Sequence, residues 1–464
     1  MRVLLVQQDT GRRVIRYPLF PIGLTYIATA LKNHQVKIFD PNVYDYPECF
    51  KELENEARNF QPDIVGISIR NIDTANRKDP FVNFKTVKPT IQAVKRVNPN
   101  IAIMAGGTGF SIYANEIMEY LPEIDYGIYL EGEETAVDLL ANLNAPERVK
   151  SIFYRKNGQV IFTGRRDLPD FSDFPITRKD PEVIDMAKYI GPLHNIIGVQ
   201  SKRGCVFNCT YCSYLFLNER KLRLRNPGSV VDEIVELVDK YGVKGFTFVD
   251  SVFNIPEEHA RGICHEMIKR NVNVEWGTWL TPIKLSKDFL LLLREAGCRH
   301  IGFSTDAVTD KGLRSLKKGY AVREIEESMR IARQVKGMAV GFNFFCAYPD
   351  MDLKAAVKTV TTFFKIPLLF PGRGGVGLNW IRLEPHTEIF STAVKEGVIA
   401  KDANFLPENE DELLKLFYVP SHQRHFTLVF DFVLFMTESV MKPLAIFLFR
   451  IIGKIRGQKS LYDA

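Results

Sequence analysis

The chain has 464 residues, 46% of them hydrophobic and 25% charged, which is ordinary for a globular protein and too long for one ordinary domain. A net charge of +6 is too mild to mark a nucleic-acid binder, and no uncharged apolar run approaches the roughly 18–20 residues that span a bilayer. The seven cysteines are odd in number and lack disulfide-scaffold spacing, so a reducing, cytoplasmic compartment is expected.

Residues 1–145 alternate between strand and helix patterns. The opening MRVLLVQQD lacks a leader's cleavage pattern and reads as a first strand at 3–6. Further strands are expected at 36–40, 64–69, 101–105 and 126–130, with helices at 23–31, 50–60 and 87–97 between them. That alternation predicts a doubly wound, Rossmann-like α/β domain with a parallel sheet, whose ligands sit beyond the strands' carboxyl ends. Residues 146–190 read as a connecting segment, with a hairpin over Asn157-Gly158 and an extended, proline-punctuated stretch at 167–175.

From 191 to 400 the βα rhythm returns. Strands are expected at 196–201, 245–249, 273–279, 300–304, 339–345 and 377–383. Helices are expected at 228–240, 257–270, 287–296, 309–316, 322–335 and 353–364. Six such units predict a partial TIM-type (β/α)6 barrel with its chemistry at the strand C-terminal ends. Residues 401–464 read as a helical region. Residues 425–449 are apolar but carry Asp431, Glu438, Lys442 and Pro443, and Arg450, Lys454, Arg456 and Lys459 follow. Packing over the barrel mouth is the plainer expectation. The sharper one is peripheral contact with an anionic membrane surface, and then a lipid-like substrate.

Three of the seven cysteines fall in Gly204-Cys205-Val206-Phe207-Asn208-Cys209-Thr210-Tyr211-Cys212. Three thiolates on a loop after a strand suit three irons of a [4Fe–4S] cubane, leaving the fourth for a small molecule. A zinc site is the alternative, although no fourth ligand lies at an obvious spacing. Cys49, Cys264 and Cys298 read as buried small hydrophobes. Cys346 lies at a strand end, where it is a candidate hydrogen donor or acid, with buried filler the plainer role. His386 reads as structural, and Trp279 and Trp380 as cavity wall.

The cysteine motif, with the aromatic Tyr211 before its last cysteine, resembles the radical S-adenosylmethionine superfamily. The resemblance implies that S-adenosylmethionine chelates the unique iron and is cleaved, after one-electron reduction, to a 5′-deoxyadenosyl radical. Further segments are similar to the family in the same order. Arg225-Asn226-Pro227 stands before the first barrel helix. Phe248-Val249-Asp250-Ser251 ends a strand that usually carries two acids; the second is Ser251 here. Gly302-Phe303-Ser304-Thr305-Asp306, counted back from Lys318-Gly319, puts Asp306 where a glutamate usually faces the ribose. Residues 341–349, with Asn343, and 381–388 resemble the fifth and sixth strand segments. The resemblance therefore implies S-adenosylmethionine contacts from Tyr211, Asp250, Ser251, Ser304, Asp306 and Asn343.

The first domain resembles a cobalamin-binding domain. The residues that carry this are Pro21-Ile22-Gly23-Leu24, Gly106-Gly107 and Glu131-Gly132-Glu133-Glu134. Gly106 and Gly107 would let a bulky nucleotide tail approach the backbone. Ser68, Arg70 and Asn71 would face the corrin, with Glu131, Gly132 and Glu133 near it. The Asp-x-His-x-x-Gly loop of many such domains is missing from 7–12, which implies a cobalt with a weak lower ligand or none, shielded by Arg70 or Asn71. No G-x-G-x-x-G follows the first strand, so dinucleotide binding is not expected.

Together these resemblances imply a cobalamin-dependent radical S-adenosylmethionine methyltransferase acting on an unactivated carbon. Its partners would be a small-molecule or lipid-like substrate and an external one-electron donor such as flavodoxin or ferredoxin, with no nucleic acid. The rivals are a cyclase or rearrangement enzyme with the same cofactors, a methylthio-transferase acting on tRNA, and a non-catalytic cobalamin or cluster sensor. The tRNA enzyme would want more cysteines before residue 145 than Cys49, and a C-terminal RNA-binding barrel.

Overall fold

Long runs of Val, Leu and Ile predict strands buried on both faces, and the computed structural model, which describes residues 1–8, 10, 18–191 and 197–437, has two sheets built this way. The first contains parallel strands β1 (Arg2–Gln7), β2 (Gln35–Phe39), β3 (Ile64–Ser68), β4 (Ala102–Gly106) and β5 (Tyr126–Ile128), followed by β6 (Ile152–Lys156) and β7 (Gln159–Phe162). Their order is β2-β1-β3-β4-β5-β6-β7. Val3, Leu4 and Val6 are wholly buried, under helices that include Ile22–Ala30, Cys49–Phe60 and Val87–Val97. Because the order reverses between β1 and β3, a crevice opens beyond their carboxyl ends.

The hairpin over Asn157-Gly158 forms, with both residues at positive φ (53° and 79°) as a tight two-residue turn requires. It is not part of a separate connecting segment. β6 pairs antiparallel with β5, Gly127 opposite Phe153, and completes the first sheet. The reason is burial: β5 is only three residues long, and Ile152, Phe153 and Tyr154 cover its edge.

The second sheet runs in chain order: β8 (Gly198–Val199), β11 (Gly245–Phe248), β12 (Glu275–Leu280), β13 (Cys298–Asp306), β14 (Ala339–Phe345) and β15 (Gly374–Asn379). All are parallel, an open partial barrel as expected. Between them β9 (Lys202–Arg203) and β10 (Arg223–Leu224) form a small antiparallel ribbon. Outward-pointing Ile301, Phe303, Val340 and Phe342 are buried. Across the inner face Trp279, Gly302, Gly341 and Gly375 stand in one register row. A Cβ on Gly302 would sit 2.6 Å from the Trp279 ring, so this row keeps the barrel floor open for the indole and for a ligand. Ser304, Asn343 and Gly377 form the row above.

The sixth strand lies earlier than expected. Residues 381–383 have left the sheet: Arg382 forms an isolated bridge with Phe417 and is buried against Asp73. Cys49, Cys264 and Cys298 are fully buried. The C-terminal region contains helices Glu410–Lys415 and Arg424–Met436. Asp9, Gly11, Arg12 and Ile196, and the tail residues Glu438, Lys442, Pro443, Arg450, Lys454, Arg456 and Lys459, lie outside the described residues. Among the described residues no helix is long and apolar enough to cross a membrane.

Candidate active site between the two sheets

The cysteine loop is tied down at both ends. At Gly204, φ is +90° and a Cβ would overlap the Lys221 carbonyl, so only glycine fits. Asp250, at the end of β11, is buried and accepts from Ser201 N (2.8 Å), Ser201 Oγ (2.5 Å) and Lys202 N (3.2 Å). Ser251 Oγ donates to the Gly204 carbonyl at 2.6 Å. Lys202 reaches down to donate to the carbonyls of Phe253 (2.7 Å) and Ile255 (3.0 Å). Burial drives the Lys202 pKa down to about 8. The two residues expected to meet S-adenosylmethionine thus position the chain that leads to Cys205.

At the other end Tyr211 Oη donates to Asp306 Oδ2 at 2.5 Å, and Lys318 Nζ pairs with the same oxygen at 2.5 Å and with Tyr211 Oη at 3.1 Å. A register shift between Ser304 and Asp306, with φ +64° at Asp306, turns this carboxylate out of the strand's alternation. Asp306 is therefore buried as the counter-ion of Lys318, and this commits its Oδ2. Ser304 stays exposed on the inner face and Asn343 half-buried beside it. Cys346 is wholly buried, its backbone N–H bonded to the Asn379 carbonyl at 2.8 Å. It is absent from the cavity lining, and burial pushes its thiol well above the ordinary range. That setting suits filler rather than a hydrogen donor.

Cys205, Cys209 and Cys212 are partly accessible and unpaired. Burial raises the Cys209 thiol and pushes Cys212 up to about 12, so holding them as thiolates calls for a strong local positive charge. An iron centre supplies that charge, and the donor set fits it. Among the described residues no three His, Cys, Asp or Glu side chains converge on a single ion; a cubane does not ask for that, because each cysteine holds a different iron.

Beside this loop lies a cavity enclosing about 1320 Å³ of empty space, part of it open to solvent. It starts in the crevice of the first sheet, at Leu5, Gly66, Ser68 and Gly106, and ends against the β9–β10 ribbon and the cysteine loop, at Lys202, Gly204 and Tyr214, and the segment after β11, at Val249 and Ser251. Of the residues expected around cobalamin, Ser68, Gly106, Gly107, Glu131, Gly132 and Glu133 line it; Arg70 and Asn71 do not. The backbone N–H groups of those two face Gln8 Oε1 at 3.2 and 3.4 Å. Gly107 has φ +100°, and a Cβ there would lie 2.7 Å from the Ile69 carbonyl oxygen. Its glycine is demanded by the turn itself, not by access for a tail. The free space is at Gly23, where a Cβ would meet nothing within 4 Å; that is the cradle that fits a bulky cofactor.

Glu131 and Glu133 do more than line this wall. Arg203, two residues before Cys205, pairs with Glu131 at 2.9 Å and Glu133 at 2.6 Å. Arg223 also grips Glu131. The Arg203 guanidinium lies 4.5–5.0 Å from the ring centroids of Phe171, Tyr26 and Phe174. Burial alone would raise the Glu131 carboxyl, but Arg223 and Arg203 hold it below the ordinary carboxylate range. A second link joins Arg382 to Asp73 at 3.0 Å, both buried. No role for Arg203 or Arg223 was expected from the sequence, and Lys318 served there only to place Asp306. For Arg203 the signal was its place immediately before Gly204-Cys205.

Comparison with known proteins agrees with this geometry. Residues 10–140 match the B12 binding domain family and residues 199–359 the radical SAM superfamily. An uncharacterised methyltransferase of Pyrococcus horikoshii is 26% identical, over 79% of this chain and 78% of its own. An anaerobic magnesium-protoporphyrin IX monomethyl ester cyclase of Cereibacter sphaeroides is 30% identical over 72% of this chain, but the match spans only 55% of the cyclase. In fold, the chain is similar to the radical S-adenosylmethionine methyltransferase TsrM from Kitasatospora setae, solved with cobalamin and a [4Fe–4S] cluster (TM-score 0.72, 21% identity, 86% of this chain and 75% of that one). The chain thus joins a B12-binding domain to a radical SAM domain, the pairing of a cobalamin-dependent radical SAM enzyme.

Proposed function

We propose that the chain transfers a methyl group to an unactivated carbon of a small or lipid-like molecule in the cytoplasm, using electrons from an external donor of the flavodoxin or ferredoxin kind. One observation carries this reading: a single cavity joins the crevice of the first sheet to the residue before Cys205. When bound, the cluster with S-adenosylmethionine supplies a 5′-deoxyadenosyl radical, and cobalamin supplies the methyl group. Cys205, Cys209 and Cys212 would hold the cluster, and Asp250, Ser251 and the Tyr211–Asp306–Lys318 group fix their loop. Ser304 and Asn343 offer a hydroxyl and an amide to S-adenosylmethionine above the glycine row. Val249 and Trp279, each about 40% exposed on the inner face, form an apolar wall that keeps water from a radical. Gly23, Ser68, Gly106 and Gly132 line the wall against which cobalamin would lie. Holding these parts in fixed positions relative to one another is the protein's main contribution.

Purification without oxygen in the presence of cobalamin should give about four irons and one cobalt per chain. S-adenosylmethionine labelled in its methyl group should pass label to product. Iron without cobalt would keep the radical enzyme and sink methyl transfer. A product of unchanged carbon count would favour the cyclase reading, which the 30% identity to the Cereibacter cyclase supports. Gly23→Leu places a side chain in open space, so the variant should fold and keep its iron while cobalt content drops at least about fivefold, the scale of about 1 kcal/mol. Full cobalt retention would place the cofactor elsewhere.

A further inference from the structure

The outer helices of a barrel normally show water a charged face. Pro227–Asp239, Glu257–Lys269, Lys287–Glu295 and Val322–Gln334 do so: among the described residues none carries an exposed large apolar side chain. Two helices that pack against one another depart from this, Leu353–Leu369 and Arg424–Met436. On the first, Leu353, Val357, Phe364 and Leu368 are exposed; on the second, Leu428, Val429, Phe432 and Phe435. At 3.6 residues per turn the first four fall within about 60° of one another, as do Leu428, Phe432 and Phe435. Each helix also has its own buried stripe, Ala355, Thr359, Phe363 and Ile366 on one and Thr427, Phe430 and Leu434 on the other. The outward stripes are thus surplus to the core.

The charges beside them identify the partner. The helix Leu353–Leu369 has no acidic residue, and its exposed Lys354, Lys358 and Lys365 lie in a band next to the apolar stripe. None of the three is in an ion pair among the described residues. The chain beyond residue 437 continues with an apolar sequence and then Arg450, Lys454, Arg456 and Lys459. An apolar stripe flanked by lysines matches an interface with apolar chains below and anionic headgroups above, where the lysine stems lie along the apolar layer and the ammonium groups rise to the headgroups. A two-fold contact between copies would set lysine bands against each other. Arg77, in the loop after β3, pairs with Asp431 at 3.1 Å, so this face borders the carboxyl ends of the first sheet, where the cavity opens.

We propose that the paired outer faces of Leu353–Leu369 and Arg424–Met436 dock the enzyme on an anionic bilayer, an inference that depends on neither cofactor nor methyl transfer. The full chain should float with vesicles of phosphatidylcholine and phosphatidylglycerol and at least tenfold less with phosphatidylcholine alone, and high salt should release it. Val357→Gln, Leu368→Gln and Phe432→Gln together should cut binding at least tenfold. Lys354→Glu, Lys358→Glu and Lys365→Glu together should remove the preference for phosphatidylglycerol. All six positions are exposed, and unchanged iron content would show that each variant folds. No flotation of the parent chain would overturn the proposal. So would flotation that survives both triple variants but is lost when Arg450, Lys454, Arg456 and Lys459 are all changed to Glu. Self-association abolished by the glutamine variant, without vesicle binding, would assign the face to a second copy instead.

Discussion

Cys209→Ala should remove the cluster's visible absorbance and S-adenosylmethionine cleavage together, the latter by at least about a thousandfold, the scale of losing an indispensable member of a catalytic unit. Two thiolates cannot hold three irons of a cubane. The loop itself should survive, because Gly204, Asp250, Tyr211 and Lys318 pin its ends without the Cys209 side chain. Iron analysis and reductive cleavage assays on the anaerobically purified variant, with circular dichroism as the fold control, check this. Cleavage that persists would refute the cluster assignment.

Arg203→Ala should be the most damaging change outside the cysteines. It strands Glu133 against the first sheet, leaves Glu131 to Arg223 alone and removes the cation from among Tyr26, Phe171 and Phe174. Breaking a buried ion pair from one side costs about 3–5 kcal/mol. Because Arg203 joins the sheet that carries the cavity to the chain that leads into Cys205, turnover should fall at least about a hundredfold even where the chain stays folded. Arg203→Lys should restore little of either, since one ammonium cannot replace a fork shared between two carboxylates. The stability difference from the parent also has a pH signature. Arg223 and Arg203 together depress the Glu131 pKa in the folded chain, so the share that Arg203 contributes is complete above the ordinary carboxylate range. It is lost only as pH falls through the lower folded value. Urea midpoints at neutral pH should therefore separate the two proteins widely, and those below about pH 4 should converge. Equal midpoints at neutral pH would show that the ion network does not couple the sheets.

Much of the architecture could be read from the chain, because periodicity is a local property. The runs at 3–6 and 64–69, the turn at Asn157-Gly158 and the βα units from 227 onward all appear within a few residues of where they were expected. The hairpin was misassigned because pairing with β5 is a contact between segments, and the alternation of residues 152–162 does not name its partner. The sixth strand was expected to run on to 383, whereas the burial of Arg382 against Asp73 takes 381–383 out of the sheet.

The candidate site divides along the same line. The spacing of Cys205, Cys209 and Cys212 is a property of eight contiguous residues, so the sequence by itself determined that three thiolates share a loop and, with the βα rhythm around them, what class of chemistry they serve. Only the tertiary structure decided what the acids do. The partner of Glu131 lies 72 residues away at Arg203 and that of Tyr211 lies 95 away at Asp306. Asp250 closes on Ser201 across 49. A carboxylate beside a cofactor and a carboxylate that locks a loop have the same local sequence; which it becomes depends on the cation or amide that folding brings within about 3 Å, and chain order carries no record of that distance.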